Sequence, residues 1–79
     1  TVTISMNLVH TRGLRSSVLN SIASEGASIL TINQTIPINN IANVTVTIET
    51  NEMQGELGRL MTRIEGLAGV QSLRIVARE

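Results

Sequence analysis

The chain has 79 residues, no Cys, no Phe, Tyr or Trp, a single His, and six basic residues balanced by six acidic ones. This length predicts one small domain that buries only about 60% of its unfolded surface and gains stability from pairing with another copy. Without Cys there is no disulfide or thiolate metal site, and one His supplies too few ligands for zinc or iron. We therefore expect no metal and no cofactor.

Charge and hydropathy restrict the partners. A net charge of zero gives no electrostatic footprint for a nucleic acid. No apolar run approaches the roughly 20 residues of a membrane-spanning helix, and no signal-peptide pattern is present. The sequence starts at Thr1 without Met. We expect a cytoplasmic domain that forms the C-terminal part of a longer chain and has neither nucleic acid nor membrane as a partner.

The first half predicts a strand, an amphipathic helix and a second strand. In residues 1–8 apolar side chains alternate with small polar ones, the pattern of a half-buried strand. The apolar stripe of an amphipathic helix follows, formed by Leu14, Val18, Leu19, Ile22 and Ala23. Glu25 and Gly26 end this helix, because Gly accepts the left-handed conformation that follows a helix. Residues 29–36, rich in β-branched side chains, then predict the second strand.

The second half repeats this plan. Residues 37–40 predict a hairpin connection, and residues 43–49 alternate like the first strand. A second helix is expected to start near residue 50, with a capping box between Asn51 and Gln54. Gly66 or Gly69 ends it. Its predicted buried stripe is Leu57, Leu60, Met61, Ile64 and Leu67.

A last strand is predicted over residues 70–77, with Leu73 and Ile75 facing inward. The order β-α-β-β-α-β predicts an α+β two-layer sandwich, ferredoxin-like, with a four-stranded antiparallel sheet and two helices on one face. The other face of this sheet is uncharged, and we expect it to be either solvated or covered by another domain or subunit. Its predicted members are Thr3, Ser5, Asn7, Thr31, Asn33, Thr45 and Thr47.

Catalysis has little support in the sequence. Ser16 or Ser17 with His10 would be a nucleophile and a base, but no carboxylate lies nearby in the sequence to orient the imidazole. The glutamates are expected at helix ends or on exposed faces. Acylphosphatases share this strand order and use a first-loop Arg with an Asn of a later strand, as Arg12 and Asn43 would be, but their Gly-rich cradle is missing. RNA-binding sheets of this topology stack bases on aromatics, which are absent here.

The turn after the first strand is the best candidate site. Backbone N–H groups of residues 10–14 are expected to converge at the start of the helix, where the helix dipole favours an anion such as a carboxylate. Gly13 would let a ligand or a neighbouring backbone approach closely. The alternative is that Gly13 simply makes the turn.

These segments resemble an ACT domain, a regulatory ligand-binding module attached to many enzymes of amino-acid metabolism. The resemblance covers essentially the whole chain. It is carried by the loop at residues 10–14 (His-Thr-Arg-Gly-Leu) and by the helix and strand start at residues 18–29. Residues 30–38 (Leu-Thr-Ile-Asn-Gln-Thr-Ile-Pro-Ile) are similar to small bacterial ACT-domain proteins labelled chorismate-mutase-like or linked to phenylalanine biosynthesis.

The resemblance implies an amino-acid site between the first loop of one subunit and the second strand of a partner. The positions carried over are His10, Thr11, Arg12, Gly13, Leu14, Ser28 and Ile29. Three of them depart from the family pattern: His10 and Ser28 replace an Asp or Asn, and Arg12 stands where Pro is common. Arg12 would act as a carboxylate clamp.

The expected function is therefore a non-catalytic regulatory module that binds a small amino acid, for example phenylalanine, at the interface of a dimer or larger homo-oligomer. Its parent protein would be linked to a metabolic enzyme such as chorismate mutase. The alternatives are an assembly module without a ligand and, less well supported, an acylphosphatase-like enzyme.

Overall fold

Six elements follow one another in the predicted order, and the predicted βαββαβ fold is confirmed. The structure is a computed structural model and describes residues 1–51, 53 and 55–79. Neither helix in this described part has the length and apolar character needed to cross a membrane. The elements are β1 (Val2–Val9), α1 (Leu14–Ser24), β2 (Ser28–Gln34), β3 (Ile41–Glu49), α2 (Leu57–Glu65) and β4 (Val70–Arg78).

The sheet has the strand order β2-β3-β1-β4, and all neighbours are antiparallel. β1 and β3 pair at its centre without a register shift, from Val2 opposite Ile48 to Val9 opposite Ile41. Since side chains alternate along a strand, every second residue of both strands points to the helices. The pairings of β1 with β4 and of β2 with β3 contain irregularities, which restricts bulges to the two edge strands.

The core is aliphatic because the chain has no large aromatic side chain. Helix stripes from α1 and α2 pack on the inward side chains of β1 and β3, as predicted. Leu73 and Ile75 of β4 pack against this core. Two members of the predicted α1 stripe are not buried, because Ala23 is exposed and Leu19 is only half-buried. The largest fully buried side chains are Ile4, Met6, Ile22, Ile48, Leu60, Ile64, Val18, Val44 and Val46.

Local conformation explains three of the connections. Gly13 precedes α1 and Gly26 follows it, both with φ of 85°, a region that other residues enter only at a cost. The connection from β2 to β3 tightens to a two-residue turn, in which Ile38 and Ile41 exchange two backbone hydrogen bonds. Asn39 (φ 52°) and Asn40 (φ 65°) form this turn. Two positive φ angles are characteristic of the type I′ hairpin, which favours Asn and Gly.

The predicted start of α2 is wrong. The helix begins at Leu57, with Glu56 as its N-cap, and not near residue 50. A Glu49 carboxylate oxygen accepts hydrogen bonds from the N–H groups of Thr50 (3.0 Å) and Asn51 (3.2 Å), and these bonds fix a turn after β3. Gln54, the second member of the predicted capping box, lies outside the described residues.

Glu25 lies at the end of α1, as predicted, but its charged side chain is buried, with only 4% of the residue exposed. Its Oε1 lies 3.3 Å from Nη1 of Arg63 and 3.7 Å from Nε of Arg59, so its carboxylate joins the end of α1 to α2. Nη1 of Arg63 also donates to Ser24 Oγ at 2.9 Å. A Cβ at Gly55 would stand 3.0 Å from Glu25 Oε2, so the segment before α2 also closes over this carboxylate.

Replacing Glu25 by Gln should destabilise the domain, because the buried side chain would lose its charge-assisted contacts. We expect Glu25→Gln to lower the free energy of unfolding by about 1–3 kcal/mol, the range for a hydrogen bond to a charged group. Urea unfolding of the two proteins measures this loss. Glu65→Gln, at an exposed position of α2, is the matched control. Equal midpoints for the two variants would show that the Glu25 contacts contribute nothing.

Candidate functional site

An open depression lies on the helix side of the sheet, where β1 and β2 end and α1 begins. We refer to it as the β1–α1 depression; its volume is about 30 Å³. Three buried apolar side chains of β1 and β3 form its floor, and residues of β1, the first loop, α1 and β2 form its rim. The floor residues are Leu8, Ala42 and Val44, and the rim residues are Val9, His10, Thr11, Arg15 and Gln34.

Backbone hydrogen bonds hold the first loop against its neighbours. The His10 N–H donates to the Asn40 carbonyl at 2.7 Å, which ties the loop to the β2–β3 hairpin. The Leu14 N–H donates to the Thr11 carbonyl at 3.3 Å, and the first intrahelical bond runs from Ser17 N–H to the Gly13 carbonyl. Two of the N–H groups expected to converge on an anion are therefore already used within the protein.

The structure separates the predicted loop residues. His10 and Thr11 line the depression. Arg12 and Gly13 are exposed next to it but do not line it. Leu14 is 8% exposed and belongs to the core, because the left-handed Gly13 turns the helix start inward.

Ser28 and Ile29 lie at the far end of β2 from the first loop of the same protomer. Ser28 pairs with Glu49 and Gln34 with Val44, so the two ends of β2 are six residues apart. At about 3.3 Å per residue this corresponds to roughly 20 Å. One protomer therefore does not bring Ser28 and Ile29 to the depression.

Two rim residues, Arg15 and Gln34, were not predicted. Arg15 follows Leu14 in the first turn of α1, so it points away from the core and over the depression. Gln34 is the last residue of β2 and reaches the same place from the other side. The sequence carries a partial signal, namely a basic residue in the first helical turn, but nothing in it pairs Arg15 with Gln34.

The electrostatics of the depression favour an anion. Arg12 and Arg15 lie at the start of α1, whose first turn contains no acidic residue. The partial positive charge of a helix N-terminus adds to these two cations. Within the described residues, no three His, Asp or Glu side chains come together in a group that would hold a metal ion.

Two of the side chains considered for catalysis, those of Ser17 and Asn43, have other partners. Ser17 Oγ donates to the Gly13 carbonyl at 3.0 Å. Asn43, the acylphosphatase-like candidate, lies on the sheet face opposite the helices, where Nδ2 donates to Ser5 Oγ (3.2 Å) and Asn7 Oδ1 (3.0 Å). Its amide is therefore bound within the sheet, on the other face from the β1–α1 depression.

Curated proteins of similar sequence share one description, UPF0735 ACT domain-containing protein. The protein of Carboxydothermus hydrogenoformans is 40% identical over 77 residues, 98% of this chain and 53% of that protein. The one from Acetivibrio thermocellus is 48% identical over 67 residues, 85% of this chain and 46% of that protein. The protein of Lachnoclostridium phytofermentans is 43% identical over 79 residues, 100% of this chain and 54% of that protein. The chain thus spans about half the length of the curated relatives it matches.

Solved structures agree on the fold. The ACT domain of a GTP pyrophosphokinase from Chlorobium tepidum superposes with a TM-score of 0.75 at 17% identity, covering 95% of both chains. The C-terminal domain of MgtC from Mycobacterium tuberculosis gives a TM-score of 0.73 at 15% identity, covering 99% of this chain and 86% of that one. No profile of a known protein family matches the chain. The relatives and the ACT structure together support the prediction of an ACT domain with the ferredoxin-like fold of that module.

Proposed function

We propose that this chain is a non-catalytic regulatory module that binds a small amino acid in the β1–α1 depression, at the interface of a homo-oligomer. The observation that carries the proposal is the depression itself, which combines an apolar floor with a cation and three polar groups on its rim. Such a combination suits a ligand that has a carboxylate, an ammonium group and an apolar side chain. ACT domains as a class are regulatory ligand-binding modules, which supports the same conclusion.

Arg15 is the carboxylate-binding residue in this proposal. Arg15 lines the depression, whereas Arg12, the residue suggested by the family pattern, does not. A guanidinium binds a carboxylate through two parallel charge-assisted hydrogen bonds. The Gln34 amide oxygen and the Thr11 hydroxyl are acceptors for the ligand ammonium group, and the apolar floor receives the ligand side chain.

The small size of the depression supports the proposal that a second copy completes the site. At about 30 Å³ it is far smaller than the roughly 300–1,000 Å³ of ligand pockets that enclose most of their ligand. Gln34, on its rim, belongs to edge strand β2. A partner that adds to this edge would supply the missing wall.

The two edges of the sheet differ in a way that favours pairing through β2. Residues 26–48, which include all of β2, contain no charged residue. Leu30 is 53% exposed on this edge, and Ile36 (84%) and Ile38 (73%) are exposed just beyond it. Edge β4 instead carries Arg74 and Arg78 and two register shifts, devices that discourage strand pairing.

Antiparallel pairing of two β2 strands would also account for Ser28 and Ile29. In that arrangement the start of the partner's β2 lies beside the end of this one, and hence beside Gln34 and the depression. The two positions implied by the family resemblance would then belong to the site through the partner subunit. Ligand bound across the two subunits would favour one arrangement of them over another, which is the physical basis of regulation.

The parent protein is the target of this regulation. We infer a longer chain, because the curated relatives are about twice as long as this one. An enzyme of amino-acid biosynthesis such as chorismate mutase is the activity to test, and phenylalanine is the first ligand. An assembly module without a ligand is the second candidate, because the uncharged β2 edge by itself explains an oligomer.

Calorimetry of the full-length protein with the twenty amino acids tests the ligand. We expect at least one to bind with a Kd below about 1 mM, which corresponds to about 4 kcal/mol. Arg15→Gln should weaken that binding by at least about tenfold, since a hydrogen bond to a charged group contributes about 1.5–3 kcal/mol. Arg12→Gln, three positions earlier and outside the rim, is the matched control and should keep the affinity.

Two outcomes would contradict this assignment. If no amino acid binds more tightly than about 1 mM, the chain is not an amino-acid sensor, and the assembly role remains. If Arg12→Gln abolishes binding and Arg15→Gln does not, the carboxylate lies on the loop and not in the depression.

Sedimentation of the full-length protein tests the interface. We expect a dimer or larger oligomer whose dissociation constant rises at least about tenfold in Leu30→Lys, because a charge on an exposed edge opposes strand pairing. Val76→Lys is closely matched. Val76 is the extra residue at one of the two register shifts of β4, and Leu30 is the extra residue at the register shift of β2. Their exposures are also similar, at 46% for Val76 and 53% for Leu30. A larger effect of Val76→Lys would place the interface on β4.

A further inference from the structure

We propose that the face of the sheet opposite the helices, here called the open face, is a docking surface for the part of the full-length protein outside these 79 residues. The proposal rests on the longer chain inferred above. It depends neither on an amino-acid ligand nor on the β2 edge.

The open face differs from an ordinary solvated surface in its side chains. A surface suited to solubility carries about 25–35% charged residues. On this face the charged residues of the four strands are Arg74, on edge strand β4, and Glu49, at the end of β3. Ile41 and Ala77 are apolar side chains on the same face. Most of the remaining area is covered by short uncharged polar side chains, among them Thr3, Ser5, Asn7, Thr31, Asn33, Asn43, Thr45, Thr47 and Ser72.

Hydrogen bonds within this face already satisfy much of its polarity. Besides its bonds to the side chains of β1, Asn43 accepts from Thr45 Oγ1 at 3.4 Å. The hydroxyls of Thr3 and Thr47 are 3.1 Å apart and bonded to each other. Covering a polar group costs most when it is left without a partner, so these bonds lower the cost of removing the face from water.

The area of the open face suits a contact within one chain. Four strands about 4.8 Å apart and about seven residues long, at about 3.3 Å per residue, cover roughly 450 Å². A cover would therefore bury about 900 Å² in total, inside the roughly 600–1,500 Å² of contacts between domains of one chain. Stable associations of separate proteins usually bury about 1,200–2,000 Å².

Chain geometry makes such a cover accessible. The Glu79 N–H donates to the Thr1 carbonyl at 2.8 Å, so the two ends of this stretch lie together at one end of the sheet. A segment continuing from either end starts next to the open face. Tethering raises its effective concentration at the face to about the millimolar range, so a modest interface suffices. The other face is already occupied by α1 and α2.

Cysteine labelling of the full-length protein tests the proposal. These 79 residues contain no Cys, so single sites can be introduced once any cysteine elsewhere is replaced by serine. Thr45→Cys lies in a central strand of the open face, and Ser72→Cys lies on β4 of the same face at an exposed position. Asn20→Cys, at a position on α1 that is also exposed, is the matched control. Each maleimide labelling rate is compared with the rate of the same variant unfolded in urea.

We expect Asn20→Cys to react with maleimide nearly as fast in the folded protein as in the unfolded protein. Thr45→Cys and Ser72→Cys should react at least about tenfold more slowly in the folded protein, since a covered thiol reacts only during local opening. This protection should survive dilution, because the cover is part of the same chain. Ser72→Cys is decisive, because its exposure in this structure means that only a cover can protect it. Three outcomes would each overturn the proposal. The first is rapid labelling of Ser72→Cys, and the second is protection that is lost on dilution, which would mean that a second copy is the cover. The third is a full-length chain of only 79 residues.

Discussion

The pairing of β1 with β3 is the constraint on which the other features of the structure depend. Eight consecutive residue pairs without a register shift hold the two central strands together. Because most of their apolar residues fall at the same alternate positions, one face of the sheet becomes the aliphatic core and the other becomes mostly polar. A shift by one residue would exchange the two faces. The same register places the end of β1 next to the β2–β3 hairpin, where His10 N–H bonds to Asn40.

Each surface of the sheet therefore has its own character. The helix face holds the core and, beyond the start of α1, the β1–α1 depression. The β2 edge is uncharged and exposes Leu30, whereas the β4 edge is irregular and carries arginines. In the proposed function, the position of the depression next to the uncharged edge would link ligand binding to subunit pairing, since the same partner strand would contact both. The open face is separate from both and remains available for a different contact.

Much of the fold was predictable because its signals are local. Alternation in residues 1–8 and 43–49 indicated two strands with one buried face, and Gly13, Gly26 and the Asn-Asn pair marked turns that require positive φ. The first loop was found in the same way, since a Gly between a strand and a helix is a local feature. The start of α2 was missed because side-chain bonds from Glu49 compete with the helix for the backbone N–H groups that follow β3.

The amino-acid sequence by itself thus determined the order of the elements, the direction each one faces and the loop beside which the depression lies. It could do so because the spacing of apolar residues, the turn residues and the glycines that end helices act over a few neighbouring positions. Only the tertiary structure decided that Glu25 is buried against Arg59 and Arg63, and that Arg15 and Gln34 share one rim. These relations join residues about 19 to 38 positions apart in the chain. They arise from the packing of whole elements, which no local pattern in the sequence encodes.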